Sequence, residues 1–243
     1  KEVNLVQRHQ VKVLQWLSDS LNNELNHTMN SRYLLEHPFF SLLEEAMPVV
    51  MHRLCGLAFK NQDIAEDEMI FQAGEEAKHV FFVMSGDLQY TMRQGDILMP
   101  APHVNEWIGE AVLWTHWRHH GTLRASSHCE LLVINPAAFM ETIGVHPKAW
   151  LCANHYATRF LNFLNAIEPA ERQDIIRGEA YREALSGMVC RPGDLDALLH
   201  EALFKSEDEN DNTDDGAPTM IEVTASGLST SANNVVKAGS DAK

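Results

Sequence analysis

FQAGEEAKHVFFVMSGDLQY, Phe71 to Tyr90, is the stretch on which the fold turns. It starts in a short apolar segment, Met69 to Phe71, and turns at Ala73-Gly74. Val80 to Met84 is an unbroken apolar run closed by Ser85-Gly86, the pattern of a strand covered on both faces. The residues then alternate. Leu88, Tyr90 and Met92 fall on one face, and Asp87, Gln89, Thr91 and Arg93 on the other. Gly95-Asp96 turns again, and Leu131 to Ile134 supplies a further apolar strand ending at Asn135-Pro136. Short strands at close spacing with glycine turns predict a small antiparallel sandwich or roll.

Helical patterns flank the strands. Leu5 to Leu57 reads as helical, with Leu14, Leu17, Leu21, Leu25 and Met29 at helical spacing. Ser18-Asp19-Ser20 offers caps, and Pro38 marks a break before an apolar helix around Leu42 to Leu57. Beyond the strands, Pro136 opens a helix through Phe139 and Met140. Gly144 and Pro147 separate it from a longer helix whose apolar face is Ala153, Tyr156, Ala157, Phe160, Leu164 and Ile167. A further helix is expected over Glu171 to Leu185, after Pro169. The expected class is α+β: an antiparallel, jelly-roll-like β-roll flanked by N-terminal and C-terminal helices. From Ser206 onward, eight acidic residues stand against two lysines, with few large apolar residues, the composition of a disordered acidic tail.

Bulk properties narrow the function. A formal charge of −15 disfavours non-specific nucleic-acid binding and docking on anionic lipid. Cys55, Cys129, Cys152 and Cys190 are scattered without a C-x-x-C, which reads as small core residues in a reducing compartment. The sequence has neither a long apolar run of membrane-spanning length nor a signal segment at its start. It begins at Lys1 rather than Met, so it is expected to be a piece of a longer protein.

A second stretch, EWIGEAVLWTHWRHHGTLRAS, Glu106 to Ser126, carries the chemistry. An apolar lead-in, a Gly-Glu pair, one short helix and a basic strand follow in order. Amides at a helix start attract negative charge, glycine permits close approach, and a carboxylate accepts from hydroxyls. That set suits a small anionic ligand bearing a hydroxylated ring. His116, His119, His120 and His128 lie near one another. Without H-E-x-x-H, or a near partner for Cys129, no metal site is expected.

Phe71 to Tyr90 resembles the roll of cyclic-nucleotide-binding domains, and GEAVLWTHWRHHGTLRA, Gly109 to Ala125, resembles their phosphate-binding cassette. Phe139 and His146-Pro147 look like the start of the family's lid helices. SLNNELNHTMNSRYLLEHPFF, Ser20 to Phe40, is similar to the end of the linker that joins the pore to the binding domain in cyclic-nucleotide-gated, hyperpolarisation-activated and ether-à-go-go channels. The Trp-rich run WIGEAVLWTHW is similar to versions in unicellular eukaryotes. The resemblance implies a helical linker over 1–60 and a roll with cassette and lid helices over 61–170. Extra helices over 171–205 and the tail over 206–243 complete the division.

The resemblance also assigns residues. Gly109, Glu110 and Ala111 would meet the cyclic phosphate through their amides, and Glu110 would accept from the ribose 2′-hydroxyl. Val112, Val83 and Met84 would form an apolar wall, each also readable as plain core. Phe160 or Arg159 would cap a purine. Ten residues after Gly109 the family normally has an arginine that pairs with the phosphate, and here stands His119. His120 stands where some channel members carry a threonine. Two readings follow: His119 and His120 bind the phosphate, more tightly at lower pH, or the pocket gates without a diffusible ligand. The ligand would be cyclic AMP or cyclic GMP, with no further cofactor.

The function implied is the cytoplasmic regulatory module of a cation channel, most naturally a potassium channel. It would be anchored to the membrane through a pore domain upstream and assembled as a homotetramer. It would not be an enzyme. The alternative is a regulatory subunit of a cyclic-nucleotide-dependent protein kinase, against which the single roll and the lack of an Arg-Arg pair count. A catabolite-activator type of transcription regulator would need a basic helix-turn-helix where the acidic tail lies. A metal-dependent enzyme ranks below both.

Overall fold

Val80–Ser85 and Cys129–Ile134 are apolar at nearly every position, and they pair antiparallel in the middle of one sheet. The computed structural model, which describes residues 16–92, 97–190 and 193, orders that sheet β1 (Phe59–Ile64), β8 (Cys129–Ile134), β3 (Val80–Ser85), β6 (Trp107–Ile108). A second sheet runs β2 (Met69–Phe71), β7 (Gly121–Ala125), β4 (Leu88–Met92), β5 (Ile97–Met99). All pairings are antiparallel. The fold is α+β, an antiparallel roll flanked by helices.

Phe81, Val83, Leu131 and Val133 of the first sheet pack against Leu88, Tyr90, Leu123 and Ala125 of the second, forming the roll interior. Alternation turns Phe82, Leu132 and Ile134 to the other face. There Phe82 meets Phe40 at 5.9 Å between ring centres. The unbroken apolar runs thus reflect a sheet covered on both sides, each fully buried large side chain contributing about 2 kcal/mol.

The helices are α1 (Asp19–Leu34), α2 (Pro38–Ala46), α3 (Pro48–Leu57), α4 (Pro136–Gly144), α5 (Pro147–Ala166) and α6 (Glu179–Met188). Ser18 caps α1, its hydroxyl accepting from the Leu21 amide at 3.4 Å. Prolines open α2, α3, α4 and α5, in the first turn where a missing N–H is harmless. Among the described residues, no helix is long and apolar enough to cross a membrane.

Four sequence expectations change. The helix expected around Leu42 to Leu57 is two, because Pro48 starts a new one. The strand β1, FKNQDI, carries only two buried residues at its ends and went unrecognised inside a polar stretch. The leucine stripe of α1 is not its packing face: Leu21 and Met29 are exposed, while Asn30, Tyr33 and Leu34 are buried. α1 approaches α3 at Gly56, where a Cβ would fall 2.2 Å from the Asn23 side-chain oxygen. The helix expected from Glu171 begins only at Glu179, since residues 172–178 are non-helical. The turn at Gly95-Asp96, the first residues through 15 and the acidic tail lie outside the described residues.

Gly121 is the tightest point in the second sheet, where a Cβ would stand 2.5 Å from the Tyr90 ring. Gly121→Ala is expected to destabilise the protein by about 2 kcal/mol through forced displacement of Tyr90. A urea midpoint matching that of the unmodified protein would contradict this packing.

Candidate ligand hollow

Residues 117–119 continue the β7 edge by pairing with 74–77. Ala77 N–H donates to Trp117 O at 2.9 Å, His119 N–H to Glu75 O at 2.9 Å, and Gly74 N–H to His119 O at 2.7 Å. At His120 the chain leaves strand geometry. Consecutive strand amides point opposite ways, yet those of His120 and Gly121 both point at one oxygen, Oδ2 of Asp174, at 2.9 and 3.1 Å. Adjacent amides turned to one side form an anion-binding concavity.

Asp174 comes from the segment between α5 and α6, and its side chain is 0% exposed. Besides the two amides, its carboxylate accepts from Tyr90 Oη at 2.7 Å, Trp117 Nε1 at 2.7 Å and His119 Nδ1 at 2.9 Å. The acceptor-only carboxylate places the proton of the His119 ring on Nδ1. That ring lies flat on Phe71, 3.6 Å away and 5° from parallel. The Asp174 backbone is held too: its N–H donates to Tyr90 Oη at 3.2 Å, and its carbonyl accepts from Gly109 N–H at 2.8 Å.

Neighbouring residues complete the closure. Ile175 is buried within the roll interior. Arg177 donates to Glu106 at 2.6 Å, to Pro100 O at 2.9 Å and to Ala101 O at 3.0 Å. Gly109 has φ 79°, in the left-handed region that glycine adopts without strain, and its amide meets the Asp174 carbonyl.

Glu110 is buried next to it and carries four hydrogen-bond partners. Tyr156 of α5 donates to Oε1 at 2.7 Å, and His37, at the start of α2, lies 3.1 Å from the same oxygen. Trp107 Nε1 donates to Oε2 at 2.8 Å, and Tyr181 of α6 donates to Oε2 as well. This one carboxylate ties together β6, the lead-in, α5 and α6.

The structure brings most of the sequence-nominated residues to this region. Gly109 donates its amide to the Asp174 carbonyl, and the Glu110 carboxylate is taken up by Tyr156, His37, Trp107 and Tyr181. The turn Glu110–Leu113 is a single 3-10 turn, with Ala111 buried and Val112 half-buried, its amide bonded to Gly109 O. His119 and the His120 amide hold Asp174, while the half-buried His120 ring tilts on Trp117 at 4.8 Å. Val83 lies in the roll interior, Met84 and Phe160 are buried, and Arg159 donates to Gly187 O at 2.9 Å. Arg118 is exposed and donates to Gly74 O at 3.0 Å. Sequence reasoning missed Asp174, Tyr90, Trp117, His37, Tyr156 and Tyr181. One signal was present: Pro169 and Gly178 bracket a charged stretch with a lone Ile175-Ile176 pair, which does not fit helical spacing.

Burial pushes the Asp174 carboxyl up, but the hydrogen bonds and proximity of His119, with Tyr90 and Trp117, outweigh it and hold the acid below its usual range. Glu110 follows the same rule: burial raises it, and His37, Tyr181 and Tyr156 lower it further, to a net depression. Burial first, and Asp174 second, raise the Tyr90 phenol. Burial lowers the His120 imidazole against the pull of Asp174. Beside the filled nest an open cavity of about 600 Å³ is lined by Gly74, Met92, Arg118, His119, His120, Pro169 and Ala170. The donor set as a whole recognises a small anion, and here the anion is the chain's own carboxylate.

Residues 61–146 match the profile of the cyclic nucleotide-binding domain family. The chain is also similar to the solved C-linker and cyclic-nucleotide-binding homology region of zELK channels, crystallised in the presence of cAMP. The two share 18% identity at a TM-score of 0.47, over 62% of this chain and 73% of that one. No curated protein matches the sequence.

Both depressed carboxyls contribute stability that is complete above the unfolded-state values near pH 4 and drains away as pH falls through their folded values. Asp174→Asn is expected to cost about 3 kcal/mol at neutral pH, because an amide cannot accept from every donor left around it. It should also flatten the acid side of the stability profile. Urea unfolding from neutral pH downward measures both, and parallel profiles for the two proteins would contradict the account.

Proposed function

We propose that this chain is a non-catalytic regulatory module whose hollow is held shut by its own segment 172–178 and opens to a cyclic nucleotide. The observation that carries the reading is the Asp174 carboxylate, which takes all five donors of the nest formed around the cassette. His119, at the position where the family has its phosphate-pairing arginine, is one of them. A cyclic phosphate and a carboxylate are both acceptor-only anions, so they compete for one set of N–H and O–H groups. The apparent affinity for nucleotide is then reduced by the fraction of molecules whose segment is released.

The larger assignment is the cytoplasmic regulatory part of a cation channel, of the potassium type, with a pore domain upstream and tetrameric assembly. It is supported by the resemblance of Ser20 to Phe40 to the channel linker. It is supported too by the tie from Glu110 to His37, which joins the hollow to the lead-in helices. Release of the segment removes the Asp174 and Tyr181 contacts together, and the change reaches α2 through the shared Glu110 carboxylate.

Asp174→Ala frees the five donors without touching the cassette. Calorimetric titration of the full chain with cyclic AMP and cyclic GMP is expected to show at least an approximately tenfold gain in affinity over the unmodified protein. Equal or weaker binding by the variant would sink the competition reading.

A further inference from the structure

Segment 172–178 also borders a small recess of about 130 Å³, which shares no lining residue with the cavity beside the nest. Trp107, Ile175, Ile176, Tyr181 and Leu185 form its apolar wall, and Glu106 and Arg177 bring charge to it. Ile175, Tyr181 and Leu185 are buried. The Trp107 indole N–H and the Tyr181 hydroxyl already donate to Glu110, so neither polar tip seeks a further partner.

Arg177 is the irregular member of this wall. Its terminal nitrogens donate to Pro100 O at 2.9 Å, to Ala101 O at 3.0 Å and to Glu106 at 2.6 Å, which fixes the plane of the guanidinium. Nε lies in that plane, buried and without a hydrogen-bond partner. Buried donors are nearly always paired, and protein interiors leave few voids larger than a water molecule. Here an unpaired N–H and a recess meet at one residue. A water suits such a wall poorly, because it needs about two to four polar partners. An apolar cavity of about 150 Å³ takes one benzene-sized molecule. Volume and aromatic wall therefore fit one small ring, and the N–H asks for one acceptor atom on it. The ring need carry no charge, since Glu106 and Arg177 neutralise each other.

We propose that this recess is a binding site for a small uncharged aromatic heterocycle with one ring acceptor, pyridine being the simplest case, and that its occupant holds segment 172–178 shut. The occupant touches Ile176 and Arg177 of the segment, Leu185 of α6 and Trp107 of β6 at once. Release of the segment takes that wall apart, so the occupant binds only the closed arrangement and favours it by mass action. It opposes a nucleotide without competing for the donors of the nest. The site stands without the reading of Asp174 as occupant of the hollow, whereas the effect on nucleotide rests on that reading.

Titration of the full chain with pyridine at pH 7.5, where the ring is uncharged, followed by the Trp107 indole N–H resonance, tests the site. The expected dissociation constant is about 1 mM. Benzene, the same shape without the acceptor, is expected to bind about fivefold more weakly. With pyridine at ten times its dissociation constant, amide exchange across residues 172–181 should slow about tenfold, and cyclic nucleotide affinity should fall by the same factor. Leu185→Phe, which fills the recess from α6, should abolish binding of both rings. Arg177→Lys keeps the charge opposite Glu106 but lacks Nε–H, so it should bind pyridine no better than benzene; it carries the test if Leu185→Phe does not fold. No pyridine binding by the unmodified chain overturns the proposal. So does a preference for pyridine that survives in Arg177→Lys, equal binding of the two rings by the unmodified chain, or bound pyridine with unchanged exchange in 172–181. Selective binding and slowed exchange, in a protein whose Asp174→Ala variant gains no nucleotide affinity, uphold the site and reject only the nucleotide reading.

Discussion

The structure depends on how a carboxylate with no exposed surface is kept in the middle of the roll. An ion of that kind is disfavoured by several kcal/mol when its acceptor sites are left empty. Asp174 has about four such sites, and five donors converge on them, two from successive amides and three from side chains. The donors are equally dependent on the acid. Remove it, and an indole, a phenol, an imidazole and two amides stand desolvated without partners. Segment and nest are each the solution to the other's desolvation, which keeps a non-helical stretch seated between two helices.

That mutual dependence extends to the lead-in through Glu110. The Gly109 amide is bonded to the Asp174 carbonyl, and the next residue, Glu110, gathers contacts from β6, α2, α5 and α6. Occupancy of the hollow and the position of the lead-in are thus separated by one residue of backbone and one buried carboxylate. The aromatic cluster of Phe39, Phe40, Trp114, Phe139 and Tyr156 packs the same helices around that carboxylate.

Much of this was legible in the sequence. The alternation of Leu88, Tyr90 and Met92 and the unbroken Val80 to Met84 run identified the roll, since period-two burial and double-sided burial leave distinct patterns. The Gly109-Glu110 and His119-His120 pairs stood out for their anion chemistry, and the structure brings Gly109, His119 and the His120 amide onto Asp174. Sequence could not show what fills the nest. Asp174 lies more than fifty residues from each of its donors, and the Pro169-to-Gly178 bracket marks its stretch as irregular without showing what the carboxylate meets. Its stretch reads as helix because Gln173, Ile175 and Ile176 carry no strong helix breaker, and tertiary hydrogen bonds override that weak preference. Glu110 is similar: its first-turn position was plain, but its partners come from four different elements.

Nuclear magnetic resonance of the unmodified protein in solution tests the central claim most directly, by titrating the Asp174 side-chain carbon while watching the His120 and Gly121 amides. The account predicts a carboxyl that ionises below the ordinary aspartate range and two exchange-protected amides whose shifts move together with it. A carboxyl titrating as in a free peptide, with those amides exchanging freely, would mean that the nest stands open and that the chain does not serve as its own ligand.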